Sequence, residues 1–141
     1  MRISFRLAFL LLAGGCVAAQ AGGALDDEAA ELRIAVGLLR SQASELALLE
    51  QQAQRGQVPP RYVRAHASQL LQAVERAGKQ LSQARTPLSA RPQAELAQAA
   101  ARELTGELTR LRSSGRAQEA SSRPSLRARL QQAEQALQPA S

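Results

Sequence analysis

Few side chains in this sequence can do chemistry, and their spacing limits what each can do. His66 is the single histidine, Cys16 the single cysteine and Met1 the single methionine. His66 follows Tyr62 by four residues, one helical turn, so on a helix the two rings share a face. A zinc site draws three or four ligands from His, Cys and acids, and there is no second histidine to join His66. A haem held by His and Met is excluded in the mature chain by the lack of a methionine after Met1, and the C-x-x-C-H attachment signature is absent. His66 is therefore read as a boundary residue packing beside Tyr62. Ligand or metal handling at the Tyr62–His66 edge is the alternative function. Glu103 and Glu107 have the i,i+4 spacing of a metal-binding carboxylate pair. Glu95, Arg102 and Arg110 on the same stretch instead give the mixed pattern of a solvated helix face. The E-x-x-H pattern of di-iron bundles is missing. So are the G-x-S-x-G elbow, the phosphate-binding G-x-x-x-x-G-K-[ST] loop and the dinucleotide G-x-G-x-x-G turn. These observations predict no catalytic residue, no metal site and no cofactor: a protein that is not an enzyme.

Cys16 raises a different question, that of location. Arg2 and Arg6 precede the apolar run "LAFLLLA" (Leu7 to Ala13), and the small residues "GGCVAAQA" follow. This charged–apolar–small order is that of a secretory signal. The run falls far short of the ~18 residues that span a bilayer. Residues 1–21 are read as an export signal, with "AQA" (Ala19 to Ala21) as the cleavage site. The shorter stretch "LAGGC" resembles a bacterial lipobox, which implies lipidation at Cys16 and a signal ending at Gly15. It departs from that pattern at Ala13, where Leu is usual, and Arg6 lies unusually near. Simple cleavage is the favoured route. Either one makes the protein periplasmic or secreted, the second with a lipid anchor at Cys16 and an Ala/Gly tether over residues 17–24. Both leave a mature body without a usable thiol.

Composition narrows the partners. Of 18 basic residues 17 are Arg, with Lys79 the exception, and the net charge is +6, or +4 once Arg2 and Arg6 are removed. The excess favours anionic partners, and export argues against nucleic acid being one. The expected partner is a protein or an anionic membrane surface in the bacterial envelope, or a second copy of the chain. The charge is unevenly spread. Residues 60–92 hold six bases and one acid, a local +5, whereas residues 22–59 hold three bases and six acids, a local −3. On a helical projection Arg61, Arg64, Arg76 and Lys79 fall opposite the apolar stripe of their segment, a candidate face for an anionic partner.

The elements that would position these residues are helices throughout. Ala29, Leu32, Val36, Leu39, Ala43, Leu46, Leu49 and Ala53 recur at spacings of three and four. Asp26, Asp27 and Glu28 are expected to open this helix and Gly56 to stop it. A second helix is expected from Pro60 or Arg61 to Thr86-Pro87, striped by Val63, Ala67, Leu70, Val74, Ala77, Leu81 and Ala84, with Glu75 and Lys79 spaced as an i,i+4 pair. A third from near Pro92 carries Ala97, Ala101, Leu104, Leu108 and Leu111, with Gly106 inside it. A fourth, short one after Pro124 carries Leu126, Leu130, Ala133 and Leu137. The predicted fold is all-α, an antiparallel up-down bundle of three to four helices after the signal. Its parts are a hairpin plus third helix over 22–112, a flexible linker over 113–123, and a short helix and tail over 124–141. The Leu/Ala core holds few large side chains and predicts modest stability. The function read from this is binding: an adaptor, chaperone-like or structural envelope protein.

Overall fold

A computed structural model describes the backbone of residues 20–117 and 123–138, and side chains over 27–117 and 126–138. Cys16 and residues 1–19 of the expected export signal lie outside the described residues, as do residues 118–122 of the expected linker and 139–141 of the expected tail. All the regular structure described is helical: α1 (Gln20–Gln54), α2 (Pro60–Gln83), a 3-10 turn (Leu88–Ala90), α3 (Arg91–Ser114) and α4 (Arg123–Ala136).

The stops are chemical. After α1, Gly56 takes φ 66°, and the N–H groups of Gly56 and Gln57 donate to the carbonyls of Ala53 and Gln52. This paired closure satisfies carbonyls that a helix end leaves open. Pro59 is extended and Pro60 sets the first turn of α2. Gly115 ends α3 at φ 64°, its N–H donating to Leu111. The start of α1 differs from expectation. The helix runs back through Gly23 and Gly22 to Gln20, so Asp26 does not cap it, and residues 20–24 of the proposed tether are helical. Each glycine costs about 1 kcal/mol against Ala in a helix interior. The long buried stripe downstream nucleates a helix that carries through them.

Each predicted stripe is the buried side of its helix. Leu32, Val36, Leu39, Val63, Ala67, Val74, Leu104, Leu108 and Leu130 are sealed from solvent, and all four predicted positions of α4 share the same core. Ala29, Ala53 and Ala84, at stripe ends, are only half-buried. The four helices pack against one another: α2 on α1 and α3, and α4 on the same two. Gly78 meets Ala101 across the α2–α3 seam, where an added Cβ would come 3.9 Å from the Ala101 Cβ, so small residues let the two helices close. α4 is tied by Arg40 Nη1 to Glu134 Oε2 at 2.9 Å and by Arg129 Nη2 to Glu103 Oε2 at 2.8 Å, one pair to each neighbour. Glu103 is thus a docking residue for α4 rather than part of a solvated face. The structure records no ion pair between Glu75 and Lys79.

Candidate binding face

Tyr62 and His66 do share a face of α2. Their rings stack with centroids 5.7 Å apart and planes 7° from parallel. Tyr62 is about half exposed, and His66 is half-buried beside the core stripe. The pair covers apolar surface where α2 meets solvent. Among the described residues no three His, Cys, Asp or Glu side chains gather as metal ligands. Glu103 and Glu107, spaced for a metal pair, each engage an arginine: Glu103 holds Arg129 of α4, and Glu107 holds Arg110 one turn on.

Arg61, Arg64, Arg76 and Lys79 are all exposed on the outward side of α2. None pairs with an acid among the described residues. Each is held differently. Arg76 Nε donates to the carbonyl of Gln72 in its own helix at 3.2 Å, which orients the guanidinium along the helix surface. Arg64 crosses to the end of α3, so close that a Cβ on Gly115 would lie 2.7 Å from Arg64 Nε. Gly115 also sits against Pro60: the same Cβ would lie 3.0 Å from the Pro60 carbonyl oxygen. The positive φ that ends α3 therefore also lets the start of α2 and the end of α3 meet under Arg64.

Sequence reasoning missed the contribution of α3 to this face. A shallow groove runs between α2 and α3, walled by Val74, Glu75, Gly78 and Ser82 on one side and by Gln98, Ala101, Arg102 and Thr105 on the other. Arg102 is exposed on its rim, one helix away from Arg76 and Lys79. At the far end of the bundle Arg116, beyond Gly115, lines a cavity with Pro59 and Pro60. Spacing shows only that Arg102, directly after core residue Ala101, turns about 100° away from it; the packing of Gly78 on Ala101 decides that it faces α2. The result is an outer α2–α3 surface with bases on both helices and Glu75 in the groove between them. No helix among the described residues is long and apolar enough to cross a membrane. Compared with known protein families, curated proteins and solved structures, the chain matches none.

Proposed function

We propose that this chain is a small exported envelope protein that acts by binding, as an adaptor, chaperone-like or structural factor. Its outer α2–α3 surface would dock an anionic partner. The observation that carries this is the state of Arg61, Arg64, Arg76 and Lys79: exposed, on one side of one helix, and without acidic partners in the described structure. Four unpaired charges on a rigid helix keep their field for an incoming surface instead of spending it internally. The ligand-handling alternative rests on Tyr62 and His66, a stacked pair that belongs to no group of three or more His, Cys, Asp or Glu side chains among the described residues. The charged–apolar–small order of residues 1–21, read as an export signal, supports the envelope location.

The test is co-sedimentation of the purified protein with envelope fractions, at about 0.05 M and about 0.5 M salt. Capture is expected to weaken as salt rises and to drop when Arg64→Glu and Arg76→Glu are combined, with helicity by circular dichroism unchanged. Capture that ignores both salt and charge reversal would refute the reading.

A further inference from the structure

α1 carries a second stripe, on the flank of its buried one, where Leu38 packs against the edge of the core. Asp27, Glu31, Ile34, Leu38, Glu45 and Leu48, with Ser41 in the middle, alternate strictly at spacings of four and three. That alternation is the seam pattern of paired helices. Here it faces water. Ile34 is 68% and Leu48 54% exposed, Leu38 is half-buried, and Asp27, Glu31 and Glu45 are exposed. The seam contains no base. Arg40 lies on the opposite flank, bound to Glu134 of α4, and Arg33 lines a cavity with Ala136 and Leu137.

Three acids interleaved with exposed Ile and Leu do not suit an anionic bilayer. Two such seams laid together would set acid against acid. The surface that fits is a helix face with bases at its ends, and the chain has one. On the outside of α2, Arg61 and Lys79 lie 18 residues apart, and the same spacing places Ala65, Ser68, Gln72 and Glu75 between them. Asp27 and Glu45 on α1 are also 18 residues apart. At 1.5 Å per residue both intervals measure about 27 Å, so both end charges meet in one register. In a single molecule both faces point to solvent, so they can meet only between copies.

We propose that the outer seam of α1 is a self-association surface that receives the outward face of α2 from a second copy of this chain. This rests on the reading above and names one anionic partner of that basic face. The contact is heterologous: each copy offers an acidic seam to one neighbour and a basic face to the next, so assemblies grow beyond two copies into rings or open chains. The helices would lie parallel, Asp27 on Arg61 and Glu45 on Lys79, so that Glu75 meets Ser41 rather than Glu31, and the end charges supply register and salt dependence.

Sedimentation equilibrium of the purified full protein tests this, with one variant for each face. The mean mass of the wild type is expected to rise with protein concentration, and to rise less at about 0.5 M than at about 0.05 M salt. Asp27→Lys with Glu45→Lys should hold the chain at monomer mass, and so should Arg61→Glu with Lys79→Glu. Arg64 is left intact because it packs over Gly115. The neutral variant Asp27→Asn with Glu45→Gln, which brings no like-charge repulsion within α1, should weaken association about tenfold or more. Mixing the two reversed variants in equal amounts should restore association, because the basic seam of one then meets the acidic face of the other. A wild type that stays monomeric at every concentration overturns the proposal. So does association that survives reversal of either face, or a mixture that stays monomeric. The α1 variants keep the basic face, so they should still sediment with envelope fractions. A strictly monomeric wild type that is still captured by envelopes would remove this inference and leave the binding reading standing.

Discussion

Three glycines in comparable settings make a graded test of the fold, because one substitution, Gly→Ala, meets a different physical situation at each. Gly106 lies in the middle of α3, exposed, and a Cβ there would touch nothing within 4 Å. Ala should stabilise that helix by roughly 0.5–1 kcal/mol through propensity and lower unfolded-state entropy. Gly56 also has open space around it, but its φ is 66°, so Ala there should cost about 1 kcal/mol from backbone conformation alone. Gly115 combines both costs. Its φ is 64°, and the new Cβ would lie 2.7 Å from Arg64 Nε, 3.0 Å from the Pro60 carbonyl oxygen and 3.2 Å from Pro60 Cβ. Arg64 can swing away, but the Pro60 backbone is fixed by its ring and by the start of α2. Gly115→Ala should therefore cost about 2–3 kcal/mol, more than the conformational term alone. The assay is thermal melting by circular dichroism, where each kcal/mol moves the midpoint of a domain this size by about 3–6 °C. The predicted order is Gly106→Ala above wild type, then Gly56→Ala, then Gly115→Ala lowest. If Gly115→Ala melts with or above Gly56→Ala, the close meeting of α2 and α3 at Pro60 is wrong.

Leu130 is fully buried and anchors a helix of 14 residues, a length that is marginal in isolation, so Leu130→Ala should cost about 2–5 kcal/mol and act first on α4. Hydrogen exchange should show α4 losing protection while α2 and α3 keep theirs, and uniform loss across all four helices would argue against independent release of α4. At Cys16 the intact mass of protein purified from cells should begin at Gly22 and be unchanged by Cys16→Ala. A mass beginning at Cys16 with acyl groups, lost in the variant, would make the protein a lipoprotein.

The core was legible because burial follows helical period and little else here. Leu126, Leu130, Ala133 and Leu137 could be named from spacing alone, and each is buried. A stripe of apolar residues alone leaves out two polar ones in α1. Glu50 stands four residues after Leu46 and seven after Ala43, on the stripe, and is 3% exposed. Gln42, beside Ala43, is 8% exposed. The basic face of α2 was visible in the projection, but the share of α3 in it was not. One helical wheel cannot say which neighbour a helix leans on, and Arg102 joins the face only because Gly78 and Ala101 bring α2 and α3 together.

The same limit hid the second seam of α1. A wheel drawn on this helix holds two candidate stripes, one through Leu32, Leu39 and Leu46 and one through Ile34, Ser41 and Leu48, each with a heptad repeat. Spacing cannot choose between them. Composition does, through energy: the first stripe places Leu at each of these three positions, whereas the second gives up Ser41 and sets Asp27, Glu31 and Glu45 beside its apolar residues. Burying unpaired carboxylates costs several kcal/mol each, far more than Ile34 and Leu48 return. The intramolecular core therefore takes the first stripe and leaves the second outside, where its acids stay solvated until matched charges arrive. A helix with one apolar stripe and one acidic-apolar stripe settles its fold and its capacity to associate by the same comparison of costs.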